Sequence, residues 1–323
     1  MVKLSKELWK LTVIAGEKML LICGAIPIRR LPLMVARPKL IQNRFLALND
    51  LRIPCTMGTA ALVTTALTTC DYLGVEGPLW VTAGDIGKGD GSRLMYKYLA
   101  DTLPNINIDV LCIHYILPIL TAMRKVIDSV RSCKKKPVLI ADAGGIYAAK
   151  AAGLAKEFDV LTPDAGEMAF LADPQATHPA YMQHHLFKVD TQEIPKLIQE
   201  AYKYNNASKI LLVKNPVDYI AKNGRIVATI DEPNIPVLEA IGGTGDTIAG
   251  MIAALIFAGY EPCRATFIAA KANRMAGKIA NPTTKTKIWE IISQIPRVFD
   301  EYLRKWSGDY NSLIEESARS QKS

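Results

Sequence analysis

The run Gly242-Gly243-Thr244-Gly245-Asp246-Thr247 carries the sharpest chemical signal in this 323-residue chain. It follows the largely apolar stretch Ile235 to Ile241 and opens an apolar segment of helical length, Thr247 to Ala258. Glycines let the backbone turn until successive N–H groups converge, and the N-terminal end of a helix adds positive partial charge, so such a loop holds an anion such as a phosphate. A carboxylate inside it repels that phosphate unless it has a second task. Accepting a proton from a substrate hydroxyl placed between carboxylate and phosphate is the chemistry that needs Asp246 there. Capping of the helix by Asp246 or Thr244 is the alternative use of the same residues.

Four further segments offer polar groups. Gly84-Asp85-Ile86-Gly87-Lys88-Gly89-Asp90-Gly91-Ser92 is a second glycine-rich loop, where Gly84, Gly87 and Gly89 permit close approach of a ligand and Asp85 supplies a polar contact; a tight surface turn is the competing account. Asp142 in Asp142-Ala143-Gly144-Gly145, and Asp164 and Glu167 in Thr162-Pro163-Asp164-Ala165-Gly166-Glu167, each follow an apolar run. Acids so placed can hold substrate hydroxyls or face a Mg²⁺ shell on nucleotide phosphates, although Asp142 or Asp164 could equally cap a helix. Lys214 ends the apolar run Lys209 to Val213 and can reach a phosphate, or simply be solvated. No direct protein ligand set for a metal stands out.

The elements that must position these residues alternate along the chain. Apolar runs at Leu79 to Ala83, Asp109 to Ile113, Pro137 to Ala141, Asp159 to Thr162 and Lys209 to Val213 read as strands. Longer segments at Ser92 to Thr102, Ile119 to Ser132, Gly145 to Lys156, Gly166 to Leu171 and Thr247 to Ala258 read as helices. That alternation predicts a parallel sheet covered on both faces, with ligands at the carboxyl ends of its strands. Asn223-Gly224 between Val217 to Ala221 and Arg225 to Ile230 predicts an antiparallel hairpin at a sheet edge. Residues 173–195, with His178, His184 and His185, read as a surface insertion or lid. The expected organisation is an N-terminal segment, 1–74, packing on the core, a ligand-binding domain over 75–306, and a polar tail over 307–323.

A net charge of +8 sets a basic balance. Lysines and arginines are scattered among acids without interleaved aromatics, which argues for anionic small molecules and against nucleic acid. Six separated cysteines without a Cys-x-x-Cys pair suit reduced thiols in the cytoplasm. The stretch from Leu11 to Ile26 imitates a signal peptide but is interrupted by Glu17 and Lys18, and reads as amphipathic structure. Ile53 to Cys70 is uncharged, yet Pro54, Gly58 and repeated threonines make it too polar for a membrane span. The size is compatible with a homo-oligomer, and no segment marks its interface.

In order, Pro137-Val-Leu-Ile-Ala-Asp-Ala-Gly-Gly145, Leu161-Thr-Pro-Asp-Ala-Gly-Glu167, Leu211-Leu-Val-Lys214 and Gly242-Gly-Thr-Gly-Asp-Thr-Ile-Ala-Gly250 resemble the carbohydrate-kinase-like branch of the ribokinase superfamily, and within it the ADP- or ATP-dependent NAD(P)H-hydrate dehydratases. The resemblance covers about residues 75 to 280. It implies an αβα sandwich with a mostly parallel sheet, ADP or ATP with Mg²⁺, and Asp246 as the base. Gly243 to Gly245 would be the anion hole, Lys214 a nucleotide-side contact, Asp142 and Glu167 the substrate or Mg²⁺ side, and Gly84 to Gly91 the early substrate loop. The implied reaction phosphorylates the hydroxyl of hydrated NADH or NADPH and then eliminates phosphate. The chain departs from the dehydratase pattern at Asp164-Ala165 (usually His-Pro), Asn215 (usually Gly) and Gly144 (usually Asp), changes that fall on the substrate side more than on the Gly-Thr-Gly-Asp side. A small-molecule kinase and a non-catalytic nucleotide-binding regulator are the alternatives.

Overall fold

The computed structural model describes residues 18–177 and 191–319. Among these residues, twelve strands form two sheets. β1 (Leu20–Cys23), β6 (Leu79–Thr82), β7 (Val110–Ile113), β8 (Val138–Ala141), β9 (Val160–Leu161) and β10 (Ile210–Val213) run parallel in a nine-stranded sheet of order β12-β11-β10-β9-β8-β7-β1-β6-β2. The Asn223-Gly224 hairpin, β11 (Asp218–Lys222) and β12 (Arg225–Ile230), extends one edge antiparallel. The other edge is also antiparallel: β2 (Met34–Ala36) pairs with β6. A separate antiparallel sheet joins β3 (Lys39–Ile41), β4 (Phe45–Leu48) and β5 (Leu51–Pro54).

Because successive strand residues face opposite sides, the apolar runs feed two cores. Leu20, Ile22, Val110 and Cys112 pack under α1 (Gly58–Leu73), α7 (Thr244–Phe257), α8 (Pro262–Ala280), α9 (Ile288–Ile292) and α10 (Ile295–Arg319). Leu21, Cys23, Leu111 and Ile113 pack under α2 (Asp90–Thr102), α3 (Leu120–Arg131), α4 (Gly144–Ala151), α5 (Ala165–Ala172) and α6 (Ile194–Lys203). The result is a three-layer αβα sandwich. Each buried Leu or Ile contributes roughly 1.5–3 kcal/mol.

The sheet begins earlier than residue 75. Leu20–Cys23, within the stretch read as amphipathic, is a fully buried strand between β6 and β7, so part of the 1–74 segment lies at the centre of the same sheet. The uncharged run before Cys70 forms α1, most of whose residues are buried. A helix apolar all round belongs in an interior, and this one packs along α7, where a Cβ at Gly250 would lie 2.3 Å from the Leu62 carbonyl oxygen. The last helix continues into the segment expected as a polar tail. α10 runs to Arg319, and Phe299, Leu303, Trp306 and Tyr310 form a buried stripe at helical spacing; the Tyr310 hydroxyl donates to Glu261 Oε2 at 3.0 Å.

Of the 173–195 insertion, residues 178–190, with His178, His184 and His185, lie outside the described residues. Before them, the Lys150 ammonium donates to the carbonyls of Phe170, Asp173 and Ala176 and closes the end of α5. No helix among the described residues is long and apolar enough to cross a membrane.

Candidate active site

In this sheet β1 connects toward β6 on one side, while β7 to β10 run away on the other, so the strand order reverses beside β1. An open α/β sheet has its ligand crevice at such a point, outside the carboxyl ends of the strands. His114 directly follows β7, Asp142 follows β8 and Lys214 follows β10, and all three converge on Asp246 in the first turn of α7.

Asp246 Oδ1 lies 2.9 Å from His114 Nε2, and Oδ2 accepts the Gly58 N–H at 2.6 Å. Gly58 opens α1 at φ 64°, in the left-handed region that glycine tolerates. Asp246 therefore sits where the N-termini of α1 and α7 meet, and both dipoles favour its anion. Burial alone would raise its carboxyl, but the bond to His114, the His114 and Lys214 charges and the Gly58 N–H outweigh burial and hold it below the usual range. Neither capping alternative is taken. α7 is capped by Gly243 at φ 101° without a side-chain bond, and the Thr244 hydroxyl donates back to Leu238 and Ile241 carbonyls, leaving the amides of the first turn without a side-chain acceptor.

Asp142 is buried. Its Oδ1 accepts from Lys214 Nζ at 2.7 Å, while Oδ2 has no hydrogen-bond partner and lies 3.7 Å from His114 Nε2. It does not cap α4, whose N-cap is Ala143 at φ 49°. Lys214 Nζ also rests against Gly245 at the start of α7, 3.4 Å from where a Cβ would stand. Burial would lower the ammonium, but Asp142 and Glu167 raise it above its ordinary value, so it stays charged.

Asp164 and Glu167 behave otherwise. Asp164 is exposed and caps α5 in a reciprocal box, its Oδ1 accepting from Glu167 N at 2.7 Å while Glu167 Oε2 accepts from Asp164 N at 2.9 Å. The capping alternative holds for Asp164. Burial, opposed by Lys214 and aided by Asp164 and Asp142, pushes the Glu167 carboxyl up to about 8 from an ordinary 4.5. The folded protein then keeps a proton between those values that the unfolded chain releases, so stability falls as pH rises from 4.5 toward 8. Glu167→Gln is expected to flatten that decline, read as urea midpoints at pH about 5 and about 8. A variant as pH-sensitive as the parent across this window would remove Glu167 as its source.

A cleft of about 710 Å³ opens above these groups, walled mostly by apolar residues including Ile26, Ile53, Met57, Tyr115 and Leu117. Gly58, Thr59, Ala143, Gly144 and Glu167 also line it, and Asp85 and Gly87 bring the early glycine loop to its edge. Asp85 is spent on that loop, accepting from the amides of Gly87, Lys88, Gly89 and Ser92 and from the Ser92 hydroxyl. Burial would raise its carboxyl, yet those bonds hold it low. Along the same loop a pocket of about 410 Å³ is lined by Arg29, Arg30 and Lys88 together with Asp85 and Asp90, and none of the three cations makes an ion pair among the described residues.

Sequence reasoning passed over His114. The signal that could have found it is position: it is the first residue after a buried parallel strand, as are Asp142 and Lys214. His114 Nε2 and one oxygen each of Asp142 and Asp246 lie within 4.8 Å of one another, a spacing metal ligands also show. Here the short Nε2–Oδ1 contact has hydrogen-bond geometry, and Lys214 already neutralises Asp142.

The NAD(P)H-hydrate dehydratase family model matches residues 95–297. An uncharacterized protein of Methanocaldococcus jannaschii is 40% identical over 243 residues, 75% of this chain and 100% of that protein. The bifunctional NAD(P)H-hydrate repair enzyme of Hyperthermus butylicus is 28% identical over 169 residues, 52% of this chain and 29% of the enzyme. Among solved structures, the ADP/ATP-dependent NAD(P)H-hydrate dehydratase from Bacillus subtilis, co-crystallized with ATP/Mg²⁺ and soaked with CoA, superposes with a TM-score of 0.54 at 16% identity, covering 88% of this chain and 91% of that one. A hypothetical protein from Streptococcus mutans gives 0.53 at 20% identity over 88% and 90%. At these identities the superpositions speak for the fold, and the family model, spanning more than half of the residues, for membership: the chain belongs to the NAD(P)H-hydrate dehydratase family.

Proposed function

We propose that the protein transfers a phosphoryl group from ATP or ADP to the hydroxyl of hydrated NADH or NADPH, with Asp246 as general base, and that elimination of the phosphate restores the reduced nicotinamide. The observation that carries this reading is the placement of Asp246. Its carboxylate is held ionised between the cleft wall at Gly58 and the uncapped, glycine-rich N-terminus of α7. A hydroxyl entering from the cleft meets a proton acceptor on one side and an anion site on the other.

The amides of the first α7 turn and the Lys214 ammonium would hold the transferred phosphate. Asp142 Oδ2, buried and without a partner, offers an unspent acceptor toward the water shell of a Mg²⁺ carried on the phosphates, and that ion would supply charge neutralisation. The apolar cleft walls suit a ring and exclude water. Arg29, Arg30 and Lys88, just beyond the glycine loop, suit the pyrophosphate of a dinucleotide.

The direct test is incubation with hydrated NADH, Mg²⁺ and either ADP or ATP, following the return of reduced-nicotinamide absorbance. Nucleotide-dependent recovery is expected; its absence despite nucleotide binding would sink the dehydratase reading. A second reading, a kinase that stops at its phosphorylated product, is favoured by the Asp164–Glu167 capping box, which occupies a segment where the chain departs from the dehydratase pattern. Accumulation of a phosphorylated product without elimination would select it.

Replacing Arg29 and Arg30 together by Ala is expected to raise KM for hydrated NADPH roughly tenfold or more with kcat unchanged, since a hydrogen bond to a charged group contributes about 1.5–3 kcal/mol. Unchanged KM would place the dinucleotide's phosphates elsewhere.

A further inference from the structure

His114 is fully buried with both ring nitrogens in polar contact. Nδ1 lies 3.0 Å from the Thr59 hydroxyl and Nε2 lies 2.9 Å from Asp246 Oδ1. Thr59 has one proton to give, and its oxygen stands 2.8 Å from the Ala25 carbonyl, a contact that is repulsive unless that proton lies in it. The Thr59 oxygen is therefore the acceptor toward Nδ1, and Nδ1 carries a proton. A neutral ring would then present a bare lone pair at Nε2 to the Asp246 oxygen, with Asp142 Oδ2 only 3.7 Å away. A second proton must lie between Nε2 and Asp246. The Gly58 N–H and the helix ends stabilise the carboxylate, which places that proton on the ring.

We infer that His114 is held as an imidazolium donating to Thr59 and to Asp246, and that it is the positioning residue that keeps the Asp246 carboxylate aimed and ionised. The catalytic half of this statement rests on the reading of Asp246 as base; the protonation half does not. Every charged or titratable group facing the ring agrees with it. Asp246 comes from α7 and Asp142 from the end of β8. The Lys214 ammonium on β10 is already engaged with the other oxygen of Asp142. Tyr115 packs its ring edge-on at 4.3 Å, and Cys55, whose thiol burial pushes up to about 11, brings no charge. Two cations and two anions then close a neutral cluster, which a buried site requires.

The test is ¹⁵N NMR of protein labelled at the histidine imidazoles, of which there are four in the sequence. One ring is expected to show both nitrogens protonated at pH about 7.5. Its loss in His114→Gln assigns it. Should that variant fold poorly, the triple His178→Gln, His184→Gln, His185→Gln variant leaves His114 as the only histidine. In Asp246→Asn, which removes the carboxylate that accepts from Nε2, the doubly protonated ring signal should be lost at the same pH. An unprotonated Nε2 in the native protein at pH about 7.5, free or shifted by a bound metal ion, overturns the inference. No substrate enters this measurement, so it stands or falls independently of whether hydrated NADH is turned over.

Discussion

Asp246→Asn is expected to lower kcat by about 10²–10⁴-fold, the usual contribution of a positioned general base, while ATP or ADP affinity is retained. Asparagine keeps the shape and still offers a carbonyl oxygen to the Gly58 N–H, so the junction of α1 and α7 survives. What disappears is the acceptor for the hydroxyl proton. The α7 amides and Lys214, to which the nucleotide side is assigned, are untouched, so isothermal titration with ATP separates binding from chemistry. Loss of binding together with turnover would move Asp246 to the nucleotide site. Unchanged turnover would take it out of the mechanism and leave the bond to His114 as a structural clamp. A binder without turnover has little use for a carboxylate held ionised at the mouth of an anion site, which is why this result bears on the whole class of the protein.

The readable parts of the chain were those where one local rule dominates. Leu79–Thr82, Val110–Ile113, Val138–Ala141 and Ile210–Val213 are short and almost wholly apolar, so as buried parallel strands they declare themselves. β1 has the same composition, but only Glu17-Lys18 separates it from the apolar residues after Leu11, and without a preceding turn the stretch resembles a targeting segment. α1 hid because a helix buried on all sides has no amphipathic period; three of its threonines, Thr64, Thr65 and Thr68, satisfy their hydroxyls on carbonyls one turn back. β3 and β5 are only three and four residues long, too short for an alternation to register. At the site, glycine motifs pointed to Asp246 and strand ends to Asp142 and Lys214. His114 sits in no motif, and its partners are 55 and 132 residues distant in sequence. Pairings of that kind are made by topology, not by spacing.

Arg274→Met is the second large expected effect, on stability first and on the site through it. From α8 the guanidinium donates to Asp218 Oδ2 at 2.8 Å, to the carbonyls of Asn215 and Pro216 at 3.0 and 2.9 Å, and to Asp231 at 3.2 Å. It thereby pins the turn that leaves Lys214 and both ends of the β11–β12 hairpin. Methionine fills similar volume but strands a buried carboxylate and several carbonyls, a loss of about 3–5 kcal/mol. At about 2–4 °C per kcal/mol for a large domain, melting should fall by roughly 10 °C. Burial already raises the Asp218 carboxyl against the pull of Arg274. Without the arginine it rises further, so the variant binds the Asp218 proton when folded and regains stability as pH falls toward the carboxylate range. The deficit should therefore be smaller at pH about 5 than at pH about 8. Adding Asp218→Asn, which removes the stranded charge, should recover much of the loss, since a buried pair replaced whole costs far less than a pair broken. Weaker ATP binding by the folded single variant would tie the clamp to Lys214, because the turn it holds begins one residue beyond that ammonium. Full affinity would mean that β10 and the Asp142 contact alone fix the lysine.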